Sequence, residues 1–179
     1  MALPSWHEGP ADRARPEDPD DRLTGFPPFH ERVLRAVAPV CARYGLALAG
    51  GYAFRAHGLT DRPSTDLDLA TAMETPLPDV AGGVVGAFQS AGLRARVIEV
   101  TPRFGRLRVE AAHTGETCGV DLLREALQRR PVAYGGLRVV ALDDAVGLTM
   151  RAVHERSLAS DIIDIASVAH LYSCRALEH

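Results

Sequence analysis

The chain has 179 residues, 46% of them apolar and 24% charged, with a net charge of −3. That is the profile of a globular domain long enough to bury a proper core. It excludes a protein that holds nucleic acid by overall charge, so any such contact has to come from a local basic patch. All 20 basic residues are arginine. Cys41, Cys118 and Cys174 show no metal-type spacing, and an odd count argues against a disulfide framework, so they read as reduced thiols of a cytoplasmic protein. No apolar run reaches membrane-spanning length and no signal peptide opens the chain, so no membrane partner is expected.

In chain order, residues 1–25, rich in Pro, Asp and Arg, read as an irregular arm outside the core. The stretch "HERVLRAVAPVCARYG" from His30 places Val33, Leu34, Val37, Val40 and Cys41 on one helical face, with Pro39 inside and Gly45 as a stop. "LALA" (46–49) is a short buried strand leading into Gly50-Gly51, and "YAFRAHG" makes about two turns of helix before Gly58. "TDLDLA" alternates, with Asp66 and Asp68 on one face and Leu67 and Leu69 on the other. A helix is expected over 76–92, although Gly82, Gly83 and Gly86 count against it. "LRARVIEV" and "RLRVEAA" are strands around a turn at 102–105, followed by strands "CGVDLL" (118–123) and "LRVVAL" (137–142). Asp143 is expected to cap a helix over 144–156, and residues 160–173 form a last one. The order implies an α/β fold, a small mixed sheet flanked by helices with a helical C-terminal part. The divisions are the arm (1–25), a core (26–136), a C-terminal strand and helices packed on it (137–176) and a tag remnant (177–179).

The chemistry gathers on the aspartates. Asp66 and Asp68 project to the same side of one strand. Two such charges repel unless a cation lies between them, and magnesium, which bridges carboxylates to substrate phosphates, suits the place. Asp121 is a third carboxylate at a strand position flanked by apolar residues. Beside the other two it would complete an acidic cluster for in-line phosphoryl chemistry, as a metal ligand or general base. An Asp-x-Asp strand simply leaving the sheet into water is the plain alternative. A glycine pair between strand and helix turns backbone N–H groups toward an anion, and Ser64 adds a hydroxyl donor.

These residues resemble the nucleotidyltransferase-like toxins of the AbiEii/AbiGii (type IV, MenT-like) group. Their first motif, a GG or GS pair followed by Arg-x-Ser/Thr-x-Asp-x-Asp, is matched in order by Gly50, Gly51, Arg62, Ser64, Asp66 and Asp68. "GVDLL" resembles the third-carboxylate strand and carries Asp121. "ALDDAVGLTMRAVHERSLASDIIDI" resembles the C-terminal helical motif, with Arg156, Asp161 and Asp164. The similarity runs from about residue 30 to 172. It implies a nucleotidyltransferase core using an NTP with Mg2+ or Mn2+, and transfer of a nucleoside monophosphate to an RNA acceptor, the tRNA 3′ end, restrained by a cognate antitoxin. DNA is not expected as a partner. In site terms it implies Asp66, Asp68 and Asp121 on metal, Gly50, Gly51, Ser64 and Arg62 on the nucleotide, and Asp164 supporting the nucleotide from the C-terminal helices. Thr149 stands at the nucleotide-binding position where the pattern has lysine. Either Arg151 or another arginine substitutes, or the chain is a disarmed variant, or its branch has lost transfer.

Arg94, Arg96, Arg106 and Arg108 cluster on the strands before Asp121, an arrangement suited to RNA phosphates and equally to a solvated sheet face. Arg129 and Arg130 are read as ending a helical stretch. The histidines lack ligand spacing, and Trp6, Tyr134 and Tyr172 are read as packing residues. Two other functions stay open: an antibiotic nucleotidyltransferase acting on a small hydroxylated drug, and a non-catalytic nucleotide-binding relative.

Overall fold

The computed structural model describes Leu23 and residues 25–172; most of the expected arm, Cys174 and the tag remnant lie outside the described residues. The strands are β1 (Ala47–Ala49), β2 (Asp66–Thr71), β3 (Leu93–Val100), β4 (Phe104–Ala111), β5 (Thr117–Arg124), β6 (Val132–Tyr134) and β7 (Leu137–Val139). They form one mixed sheet in the order β3-β4-β5-β2-β1-β7-β6. β2 runs parallel to β5 and β1 to β7, and the other neighbours are antiparallel. The helices are α1 (Pro28–Tyr44), α2 (Gly50–Ala56), α3 (Leu77–Ser90), α4 (Leu142–Arg156) and α5 (Ala159–Val168). This is the mixed α/β fold with a helical C-terminal part that the residue pattern implies.

α1 opens on Pro28, whose fixed φ suits a first helical residue, and ends at Gly45 in the left-handed region at φ 59°. Pro39 lies within the helix without ending it. Phe29, Val33, Leu34, Val37 and Cys41 form its buried stripe. α3 tolerates its glycines partly because it lies close to α1: a Cβ on Gly83 would meet the Tyr44 ring at 2.6 Å. α1 packs on α3, and α3 packs on β3, β4 and β5. Between helices and sheet lie Leu67, Leu69, Leu107, Val109, Val120 and Leu122, each no more than 1% exposed. Leu23, in the stretch read as the arm, is buried in the core beside Phe26 at the start of the expected core segment.

Several expected elements shift. The strand expected over 137–142 stops at Val139, since Ala141 is already the N-cap of α4. Its partner β6 was not anticipated. Gly135 and Gly136, both at positive φ (50° and 76°), form the two-residue turn of a hairpin with Tyr134 opposite Leu137. Asp143 is a first-turn residue of α4 and caps nothing; its carboxylate meets Arg129 and accepts a hydrogen bond from the Tyr172 hydroxyl. Asp144 does the pinning, accepting the backbone N–H groups of Gln128 (2.8 Å) and Arg129 (2.9 Å). Arg129 and Arg130 therefore belong to a loop and not to a helix end. α5 ends at Val168, short of the expected 173.

Candidate active site

The register of the central strands assembles the site. Asp68 lies opposite Asp121 across the parallel β2–β5 pair, and Asp121 lies opposite Arg106 across β5–β4. One step along, Asp66 lies opposite Gly119, Gly119 opposite Arg108, and Arg108 opposite Arg96. Register partners share a face, and strands stand about 4.8 Å apart, so two charged rows cross the side of the sheet away from the leucines. The three expected carboxylates therefore converge, although they come from sequence positions up to 55 residues apart (121 − 66).

Two glycines make that convergence possible. Gly50, at φ 59°, lies directly under the Asp68 carboxylate, and any Cβ there would collide with it. A Cβ on Gly119 would collide with Asp66. Gly51 has a different neighbourhood: a Cβ would meet Arg62 Nη2 at 2.9 Å and lie 3.6 Å from both Asp164 Oδ2 and Ser64 Oγ. The glycine pair therefore opens α2 itself, and the first turn of that helix carries no side-chain cap on its N–H groups.

Burial first, then the neighbouring Asp121 charge, pushes Asp68 up to about 7, with Asp66 adding to the effect and the fields of Arg156 and Arg106 opposing it. Asp121 is held by Arg106 through a two-pronged pair, Nε to Oδ1 at 2.9 Å and Nη2 to Oδ2 at 2.6 Å. Arg106 is thus part of the acid centre and not a free member of a basic stripe. Arg94 is likewise engaged, by Glu110. Among the described residues, Arg96 and Arg108 have no ion-pair partner and remain exposed on the same face.

The C-terminal helices add two more ion pairs. Arg62 donates through the one nitrogen Nη2 to both oxygens of Asp164 (3.0 and 2.8 Å), which is 3% exposed; burial raises Asp164 and the guanidinium opposes that. Arg156 donates to both oxygens of Asp161 (2.9 and 3.0 Å). Asp161 and Asp164 thereby tie α5 to the end of α4 and to the loop ahead of β2. Ser64 does not offer its proton outward: its hydroxyl donates to the Asp66 carbonyl at 3.0 Å. The Ser64 carbonyl accepts the Tyr52 hydroxyl at 3.0 Å, and the tyrosine oxygen meets His30 Nδ1 at 2.5 Å. This relay from α1 through α2 fixes the loop and was missed in the sequence, where Tyr52 and His30 read as ordinary helix residues. Gly119 was also missed, though a glycine inside a strand is itself a sign of close approach.

Thr149 is buried on the inward face of α4, and Arg151 is committed to both oxygens of Glu125. Arg156 is the arginine of this helix whose field reaches Asp68 and Asp121. Cys41 and Cys118 are buried thiols pushed up to about 12, and so are inert. Among the described residues no three His, Cys, Asp or Glu side chains form a ready cage for a metal ion, and no helix is long and apolar enough to cross a membrane.

No protein-family model matches the chain, and no curated protein sequence does. Solved structures do share its fold. JHP933 from Helicobacter pylori superposes with a TM-score of 0.62 at 20% identity, covering 80% of this chain and 66% of that one. A candidate nucleotidyltransferase from H. pylori gives 0.58 at 22% identity, with 80% and 68% covered. MenT4, a nucleotidyltransferase toxin from Mycobacterium tuberculosis, gives 0.53 at 20% identity, with 89% and 65% covered. The chain thus spans about two thirds of each neighbour's length, and the likeness is one of fold.

Proposed function

We propose that the chain is a metal-dependent nucleotidyltransferase that moves a nucleoside monophosphate from an NTP to an RNA acceptor, the tRNA 3′ end, as a toxin held in check by a cognate antitoxin in the cytoplasm. The observation that carries this reading is the row Asp68–Asp121, with Asp66 one step along, on the open face of the sheet and flush against Gly50. The motif resemblance and the shared fold with structures described as nucleotidyltransferases support it.

The donor set fits a divalent ion. Burial first, and then the Asp121 charge, raises Asp68, and a cation at this place would favour its ionised form. Carboxylates that fall short of a full cage are how magnesium is ordinarily held when substrate phosphates supply the remaining oxygens. Asp66 and Asp68 would hold Mg2+ or Mn2+, with Asp121 as the third ligand or as the base for the acceptor hydroxyl. When bound, the ion supplies charge neutralisation to the triphosphate and acidifies the attacking hydroxyl. The chain's own parts do the rest. The uncapped first turn of α2 at Gly50 and Gly51 faces the phosphates with N–H groups. Arg62, held by Asp164, sets the wall of the nucleotide site beside Gly51. Ser64 shapes the loop instead of donating to phosphate. Arg96 and Arg108, without an ion-pair partner among the described residues of the acid face, suit an RNA backbone better than a small cationic drug.

A second reading rests on Thr149. A buried threonine brings no charge to the phosphates, which would leave a protein that binds nucleotide without turning it over. Incubation with each labelled NTP, Mg2+ and total RNA, beside a parallel set with aminoglycosides, separates the readings. Label in tRNA that disappears in Asp66→Ala supports transfer to RNA. Label on the drug moves the acceptor to a small molecule. Bound nucleotide with no label in either, restored by Thr149→Lys, identifies a disarmed site.

A further inference from the structure

We infer that Arg106 is the resident counter-cation of the acid centre and that it gives up Asp121 when a divalent ion binds; the inference rests on the nucleotidyl-transfer reading above. Asp66, Asp68 and Asp121 share one sheet face, and among the described residues the one guanidinium paired with them is that of Arg106. Three carboxylates against that one cation leave an excess of two negative charges. Of the other arginines nearby, Arg62 is committed to Asp164 and Arg156 to Asp161, while Arg108, in the row of Asp66, makes no ion pair with a described residue. Among the described residues neither Asp66 nor Asp68 has an ion-pair partner. With Arg106 in place each oxygen of Asp121 accepts a charge-assisted hydrogen bond, which makes Asp121 a poorer ligand and a weaker base until the fork opens.

The geometry suits opening. The Asp121 side chain is 11% exposed but that of Arg106 is 52% exposed, so the guanidinium can leave toward water while the carboxylate stays. Arg106 also has somewhere to go. Its Cζ lies 5.2 Å from the centroid of the Phe104 ring, and Glu99 lies opposite it in register on β3. Released from Asp121, the side chain keeps the ring and gains the glutamate or a phosphate, which an arginine fork grips equally well. Arg62 is the contrast: 26% exposed on a carboxylate only 4% exposed, it has no such exit. Arg106 therefore prevents charge repulsion in the empty site and competes with the ion for Asp121. Divalent binding is weaker than the three acids alone would allow, and it is coupled to a move of Arg106 on the face where the polyphosphate lies.

Mn2+ titration of the nucleotide-free protein, followed by electron paramagnetic resonance, tests this in four proteins: wild type, Arg106→Gln, Arg106→Lys and Asp68→Asn. Removing the competitor is expected to tighten Mn2+ binding by about tenfold in Arg106→Gln, with Arg106→Lys in between and Asp68→Asn losing the site. Melting curves give a second readout. Arg106→Gln should melt below wild type without metal and recover that loss at saturating Mn2+. Wild-type binding that Asp68→Asn abolishes but Arg106→Gln leaves unchanged or weakens overturns the exchange while leaving the catalytic reading standing. No Mn2+ bound by any of the four overturns the exchange, and none bound when a non-hydrolysable NTP analogue is added as well overturns both.

Discussion

The same strands carry two opposite chemistries on their two sides. On one side Leu67, Leu69, Val120 and Leu122 are sealed against helices. On the other, one residue out of phase, Asp66, Asp68, Gly119 and Asp121 meet Arg106 and Arg108. The apolar side gains by excluding water and tolerates exchange of one hydrophobe for another as long as the volume is kept. The charged side spends that stability to hold like charges together, as the raised Asp68 shows. A period of two thus separates what holds the protein together from what the protein does.

Substitutions on the two sides should therefore fail in opposite ways. Asp68→Asn is expected to lower nucleotidyl transfer at least about a thousandfold while leaving the melting temperature unchanged or higher, because a buried charge beside two acids is removed. Single-turnover transfer and calorimetry on the same preparation check both halves. Leu122→Ala should do the reverse, costing about 2–5 kcal/mol in denaturant unfolding with transfer retained by the folded fraction. If Asp68→Asn unfolds the protein, or Leu122→Ala spares stability and removes activity, the division between the two sides is wrong.

Gly50 sits where the division is tightest. Gly50→Ala has to take a left-handed backbone and push the Asp68 carboxylate aside. A cost of about 1–3 kcal/mol in stability is expected, together with loss of transfer, since both come from one displaced group. Arg62→Lys is the milder probe. It keeps the charge but loses the guanidinium that places Nη2 against both oxygens of a nearly buried Asp164, with about 1–2 kcal/mol lost and the effect on transfer falling on KM more than on kcat. A kcat loss with unchanged KM would mean that Arg62 touches the reacting atoms and does not merely shape the nucleotide wall.

How far these sides were legible in the sequence follows from which interactions are local. Alternation in "TDLDLA" and "CGVDLL" is a property of each strand alone, so the acid face and the leucine face of each could be read before the fold was known, while the pairing of β2 with β5 that brings Asp121 beside Asp68 could only be a condition. The helices before and after the glycine pair were readable for the same reason. The partners of the arginines were not. Arg106 and Asp121 meet because β4 and β5 pair in one register, and Arg62 and Asp164 meet across 102 residues of chain. A row of arginines looks the same in sequence whether it lacks an ion-pair partner among the described residues, as Arg96 and Arg108 do, or is already paired with carboxylates, as Arg94 and Arg106 are. The β6–β7 hairpin did carry a local mark, Gly135-Gly136 between two short apolar runs, which three-residue strands made easy to overlook.

The smallest effect tests whether the relay behind the site belongs to the stabilising side or to the reactive one. Tyr52 commits its proton to the Ser64 carbonyl, which leaves its oxygen to accept from His30 Nδ1–H. Burial holds His30 below its ordinary value, against the opposing pull of Asp66 and Glu116. The folded protein therefore takes up a proton at His30 less readily than the unfolded chain does. Stability from this group is complete above the ordinary histidine value of 6.5 and is lost as pH falls from there through the lowered folded value, with a slope of up to about 1.4 kcal/mol per pH unit. Unfolding measured between pH 7.5 and 5 should show that fall in the wild type and a shallower one in His30→Gln, which keeps a hydrogen bond to Tyr52 but does not titrate. Identical slopes in the two proteins would remove His30 as the acid-sensitive group. A slope that flattens together with a loss of transfer at pH 7.5 would show that the loop carrying Arg62 and Ser64 depends on this relay for its catalytic geometry, and that the boundary between the two sides of the sheet runs through Tyr52.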